Sequence, residues 1–180
     1  MVLIKIQVDN LQINYIKQGN GEKNVLILPG WGTTIQTYMP LINSLSTYTT
    51  VYCLDMPGFG ESQEPSHGLS LDDYVHFVIS FIHALGLKEL DIIAHSNGGR
   101  ITIKMLGKEP LDFKVHKIIL MGSAGIVHPH SFSQKIHIKL FKIGKKILNF
   151  KPMKILFPNL LEKLKNNSGS EDYRNASPIM

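Results

Sequence analysis

Leu90-Asp-Ile-Ile-Ala94-His95-Ser96-Asn97-Gly98-Gly99 decides how this chain is read. Its first half is a short apolar run, the pattern of a strand buried on both faces. The second half is too small and too polar to continue that strand. A helix is expected over about 98–108, stopped near Pro110. Ser96 therefore sits on a sharp strand-to-helix junction with small residues, Ala94 and Gly98, two positions away on either side. That spacing matches the nucleophile elbow, a strained turn that lifts a serine hydroxyl above a sheet. The usual first small residue is Gly; Ala94 adds one methyl group, so the turn stays feasible but more crowded. A plain strand–helix turn is the alternative reading of Ser96.

The same grammar repeats on both sides of the elbow. Val25 to Leu28 is a buried apolar run that ends in Pro29-Gly30-Trp31-Gly32. Thr50 to Leu54 is another, ending in Asp55-Met-Pro-Gly-Phe-Gly60. Lys117 to Met121 is a fourth buried strand, followed by Gly122-Ser123-Ala124-Gly125. Upstream, residues 2–8 and 11–17 alternate around Asp9-Asn10, which reads as a hairpin. Residues 36–47 look helical. Residues 70–86 carry apolar positions at helical spacing, with Ser70 as N-cap, Asp73 three residues on and Gly86 as the stop. Strands alternating with helices imply an α/β fold, a mostly parallel sheet with helices on both faces. Ligands of such sheets bind at the carboxyl ends of the strands, where these small-residue turns converge.

Composition narrows the classes. The chain has 180 residues, 43% apolar and 18% charged, with one cysteine, Cys53. Disordered, collagen-like and disulfide-framework chains are excluded, and no apolar run is long enough to span a bilayer. The N-terminus lacks the pattern of an export signal, so a cytoplasmic location is expected. The net charge of +5 is uneven. Residues 1–130 carry a slight acidic excess, whereas residues 131–165 hold nine lysines and one acid, Glu162. A basic balance so local argues against nucleic acid as the partner.

The chemistry centres on Ser96. The helix that starts after it supplies free N–H groups and the positive end of a dipole. The Asn97 N–H is one candidate oxyanion donor, and the Trp31 N–H on the neighbouring rim turn is the second. Gly30, Gly32, Ala94, Gly98 and Gly99 are read as geometric residues of the elbow and rim. Asp55 ends a strand but is read as a carboxylate tying its own turn rather than as a catalytic acid. No phosphate loop, dinucleotide fingerprint or clustered metal-ligand spacing is present, so neither cofactor nor metal is implied.

Leu28-Pro-Gly-Trp-Gly32, Asp55-Met-Pro-Gly-Phe-Gly-Glu-Ser62 and Ala94-His-Ser-Asn-Gly-Gly99, in that order, resemble the α/β-hydrolases. That large family includes small esterases, carboxylesterases and carbon–carbon bond hydrolases. The resemblance covers about residues 1–126 and implies a serine hydrolase acting on a small ester or related carbonyl compound. It also implies Ser96 as nucleophile and Trp31 and Asn97 as oxyanion donors. Residues 127–180 resemble part of the helical cap that covers the nucleophile in such enzymes. The family places its triad acid and histidine on later strands, beyond the cap. The expectation is therefore a truncated hydrolase, with acid and base missing and turnover crippled.

Among the eight histidines, His128 and His130 are the nearest substitutes for the base. His95 is expected to point away from its neighbour Ser96. His67, His76, His83, His116 and His137 read as surface or helix-face residues. The lysines of 135–165 suit a cap with a solvated basic face, a membrane-surface helix making peripheral contact through 135–154, or attraction of an anionic substrate. A partial cap would expose an apolar face and favour aggregation. The rival functions are a non-catalytic fragment or pseudo-enzyme and a basic membrane-surface module.

Overall fold

The computed structural model of the protein describes residues 3–107 and 110–124. The chain opens with strands β1 (Leu3–Val8) and β2 (Leu11–Gln18). They form the expected hairpin, and Asp9 and Asn10 take φ of 46° and 66°. Two left-handed residues define the turn whose twist matches paired strands, and Asp and Asn tolerate that region better than most side chains. There follow β3 (Asn24–Leu28), α1 (Ile35–Leu45), β4 (Thr50–Leu54), α2 (Leu71–Ala84), β5 (Glu89–His95), α3 (Asn97–Leu106) and β6 (Lys114–Met121).

The six strands form one sheet in the order β1-β2-β4-β3-β5-β6. Strands β4, β3, β5 and β6 run parallel, and the β1–β2 hairpin adds on antiparallel through β2 and β4. The chain steps from β3 outward to β4, then returns across to β5. The reversal of direction falls between β3 and β5, where neighbouring crossovers leave a crevice at the strand ends.

Alternation along each strand divides the core in two. Leu26, Leu28, Tyr52, Leu54, Leu90, Ile92 and Ala94 pack with α2 and α3 residues such as Val78, Phe81, Ile101 and Met105. Val25, Ile27, Val51, Cys53 and Ile93 face the other way and pack with Ile35, Tyr38 and Ile42 of α1. The period of two sends adjacent residues to opposite faces, so a continuous apolar run fills both layers. Helix α2 begins with the expected capping box: Ser70 Oγ accepts the Asp73 N–H at 3.3 Å, and Asp73 Oδ2 accepts the Ser70 N–H at 2.7 Å. Gly86, at φ 68°, follows the end of that helix.

One expectation needs correcting. The run Lys117 to Met121 is a strand but not a buried one. Ile118, Ile119 and Leu120 are 44%, 54% and 37% exposed. Among the described residues β6 pairs only with β5 and is the edge of the sheet. Residues 127–180, read above as a partial cap with its lysines, lie outside the described part of the chain.

Candidate active site

Ser96 has φ 48° and ψ −111°, a backbone conformation that costs a non-glycine residue on the order of 1–3 kcal/mol. Such strain persists only where surrounding contacts impose it, and here they come from both sides. The Ser96 N–H donates to the Met121 carbonyl at 3.0 Å, extending the β5–β6 pairing, and the Ser96 carbonyl accepts the Ala124 N–H at 2.9 Å. The end of β6 and the turn beyond it therefore bracket the serine.

The small residues around it are explained by what an added methyl group would strike. At Gly98 it would run into the Leu28 carbonyl oxygen and lie 2.6 Å from that of Pro29. At Gly99 it would meet the Ser123 side chain, its Cβ at 2.6 Å. At Gly30 it would lie 2.9 Å from His95 Nδ1 and 3.2 Å from Ser96 Cβ. Gly32 has φ 72° and needs glycine for its backbone. Ala94 is fully buried opposite Leu28 on β3 and Leu120 on β6, so its methyl group is absorbed into the core. Close approach of the β3 turn to the elbow is what these residues permit.

The register Leu28↔Ala94 brings the turn after β3 beside the turn after β5. Trp31 lies on the first turn and Asn97 opens α3 on the second. The Trp31 indole packs edge-on against Phe59 at 5.1 Å and Tyr74 at 6.3 Å between ring centres. Its ring is a packing anchor, which leaves the backbone N–H as the part available to chemistry. The hydrogen bonds made at this rim among the described residues use neither the Trp31 nor the Asn97 N–H.

His95 turns away from Ser96 along the sheet rim. Its Nδ1 lies 2.9 Å from the Tyr38 hydroxyl, which also accepts the Gly30 N–H at 3.0 Å and lies 3.0 Å from Thr33 Oγ1. Thr33 Oγ1 donates to the Gly30 carbonyl at 2.9 Å. The sequence reading missed Tyr38. Its place on the apolar face of α1 marks it only as a core residue, and nothing local announces the polar contact.

Asp55 is 2% exposed, with both carboxylate oxygens occupied. Oδ1 accepts the Ile35 N–H at 2.8 Å; Oδ2 accepts Asn14 Nδ2 at 2.8 Å and the Glu61 N–H at 3.0 Å. The Glu61 bond is the expected local tie. The other two reach β2 and the start of α1, where the carboxylate does the capping that the Thr34 side chain does not. Gly60, at φ 54°, leaves room for that carboxylate.

The remaining described histidines stand away from the serine. His83 pairs with Asp112 at 2.7 Å, His116 with Glu89 at 3.0 Å, and His67 contacts Ser66 at 3.2 Å. His76 is exposed on α2. His128, His130 and His137 lie outside the described residues. Among the described residues Ser96 Oγ makes no hydrogen bond, and no cluster of three metal-ligating side chains is found. No helix of the described residues is long and apolar enough to cross a membrane.

Comparison with known proteins agrees with this fold. A family model described as alpha/beta hydrolase fold matches residues 23–142. The chain is 37% identical over 94 residues to (E)-2-((N-methylformamido)methylene)succinate hydrolase of Acinetobacter baylyi, covering 52% of this chain and 35% of that protein. It is 36% identical over 76 residues to 2-hydroxymuconate semialdehyde hydrolase of Pseudomonas putida, covering 42% and 26%. The meta-cleavage product hydrolase of Pseudomonas fluorescens IP01 superposes with a TM-score of 0.61 at 27% identity, covering 72% of this chain and 48% of that one. The chain spans about a third of the length of the curated relatives it matches.

Proposed function

Since the chain belongs to the α/β-hydrolase fold family, we propose that it carries the nucleophile half of a serine hydrolase acting on a small ester or related carbonyl compound. The observation that supports this most is Ser96 itself: a serine held at φ 48° on the tip of β5, beside the rim turn that bears Trp31. Strain of that kind, maintained by hydrogen bonds from the end of β6 and the turn beyond it, has a purpose when the hydroxyl must stand clear of the sheet.

In this reading Ser96 Oγ attacks the substrate carbonyl carbon. Its proton passes to a general base, and the carbonyl π electrons move onto oxygen. The Trp31 and Asn97 N–H groups stabilise that oxyanion, each contributing roughly 3 kcal/mol by mutational precedent. Collapse of the tetrahedral intermediate expels the leaving group and leaves an acyl-serine, which water then hydrolyses. The relatives' names, with their succinate and semialdehyde substrates, favour a small carbonyl compound.

No histidine or carboxylate among the described residues is hydrogen-bonded to Ser96 Oγ. Turnover by this chain is therefore expected to fall at least about a thousandfold below that of a hydrolase with an assembled triad. The test is covalent labelling. A fluorophosphonate probe should modify Ser96, located by peptide mass spectrometry, and leave Ser96→Ala unmodified. Absence of any adduct at Ser96 after prolonged exposure overturns the reading.

A further inference from the structure

We infer that a bulge at the end of β6, Met121 to Ala124, clamps both backbone groups of Ser96 and thereby aims the Asn97 N–H toward the side of β5 on which Trp31 lies. What that aim does for Ser96 chemistry rests on the hydrolase reading above; the bulge and its two bonds do not.

The bulge is read from the register. Ala94 pairs with Leu120 and His95 with Met121, so regular parallel pairing would set Ser96 opposite Gly122. A residue in a parallel ladder donates to the carbonyl before its partner and accepts from the N–H after it. For Ser96 those groups belong to Met121 and Ser123. The first bond is made, at 3.0 Å. The second comes instead from the Ala124 N–H, at 2.9 Å. An extra residue is taken up between the two bonds, and Gly122, at φ 52°, has the left-handed backbone that accommodates it. Bulges gather beside active sites, where they terminate pairing or re-aim a group.

Distances decide which contact directs the Ser96 carbonyl. As the cap of α3 it also accepts the Arg100 N–H, but at 3.4 Å, beyond the usual range. The Ala124 bond is much the shorter, so the carbonyl is drawn toward β6. It shares one trans peptide plane with the Asn97 N–H, and the two point in opposite directions. Strand β5 has β6 on one side and β3 on the other. A carbonyl held toward β6 therefore sends the N–H toward the β3 side, where the turn bearing Trp31 lies. The Ser96 side chain makes no capping bond at α3, so its hydroxyl is not spent on the helix.

Contact with α3 sets how close the bulge comes. A methyl group at Gly99 would strike Ser123 Oγ and lie 2.6 Å from Ser123 Cβ. The hydroxyl can rotate away; the β-carbon cannot move without the turn. Gly122, Ser123 and Ala124 act here as positioning residues.

NMR of the full chain tests the clamp itself. A scalar coupling across the hydrogen bond should link the Ala124 nitrogen to the Ser96 carbonyl carbon. Replacing the Ala124 amide by an ester, through the matching α-hydroxy acid, removes that N–H alone. The Asn97 amide resonance should then move, and fluorophosphonate labelling of Ser96 should slow about tenfold, the factor one ordinary hydrogen bond is worth. The phosphorus resonance of the Ser96 adduct, whose phosphonyl oxygen stands where the oxyanion would, should shift as well. Amides within β3 and β5 should keep their exchange rates. Gly99→Ala should also slow labelling, and adding Ser123→Gly, which leaves only the residue 123 α-carbon at 3.2 Å, should restore it. Absence of the coupling in the parent protein overturns the clamp, and that spectrum decides even if no variant folds. An ester variant with unchanged Asn97 and phosphorus resonances overturns the aim, as does slower labelling accompanied by faster exchange in the strands. A double variant labelled no faster than Gly99→Ala overturns the part given to Ser123. Labelling that fails in parent and variants alike overturns the acyl-serine reading, and the coupling and the Asn97 resonance then decide the clamp and its aim.

Discussion

The α-carbon of Gly98 is seated directly against the carbonyl oxygen of Leu28, with no room for a side chain between them. The neighbours are backbone atoms of β3 and of the Pro29 turn, which cannot swing aside as a side chain can. Gly98→Ala must push the elbow and the turn after β3 apart. It is expected to destabilise the protein by about 3 kcal/mol or more, the upper range for overpacking. The shift of the urea midpoint measures it. A loss below about 1 kcal/mol would show that the two turns are not pressed together as described.

Asp55→Ala is expected to be among the most damaging single changes. It leaves the buried Ile35 N–H and Asn14 Nδ2, and the part-buried Glu61 N–H, without their acceptor. Stranded buried donors cost about 1–3 kcal/mol each. The variant should lose several kcal/mol by chemical denaturation, or accumulate only as insoluble protein. A variant of ordinary stability would show that these three bonds do not hold β2, the start of α1 and the turn after β4 together.

Acid should weaken the start of α2. The Asp73 carboxyl is held below the ordinary Asp range, first by the Ser70 hydroxyl and then by the Ser70 backbone N–H. Because its folded value is the lower one, its contribution is complete above the ordinary Asp range and disappears as pH falls through the folded value. Ser70→Ala should therefore lower the melting temperature at neutral pH and have a smaller effect in strong acid, where the carboxylate is already protonated. An equal loss at both pH values would contradict this coupling.

Cys53 should be chemically silent in the folded protein. Burial, and next the nearby Asp55 carboxylate, push its thiol far above the ordinary range, so the reactive thiolate is scarce. Iodoacetamide should modify it only on unfolding, and the modification rate then reports global opening. Rapid alkylation under native conditions would mean that the layer beneath α1 opens locally.

Much of this architecture is legible along the chain. The strands announce themselves because each is a run of β-formers closed by small residues, and α2 because Ser70 and Asp73 lie three residues apart. The elbow is legible for the same reason: Ala94, Gly98 and Gly99 leave space whose shape is local. What escapes a sequence reading is contact at a distance. Asp55 reads as the tie of its own loop, yet two of its three bonds reach elements far away in the chain. Tyr38 reads as core, yet its hydroxyl organises the rim. The apolar run in β6 suggests burial, while among the described residues it pairs only with β5 and both its faces are largely exposed, which the run itself does not encode.

The alternation that divides the core also decides which residue arrives at the tip of β5. Leu90, Ile92 and Ala94 face one layer and Ile93 the other. Sliding this strand by a single residue would exchange the two sets and deliver His95 or Asn97 to the bend in place of Ser96. Insertions or deletions within 89–95 would thus scramble two packed layers and the chemistry together, whereas the turn around Gly86 can absorb a change of length without moving the count. The strand works as a ruler: the same side chains that pack the interior measure out the distance to the strained serine at its tip.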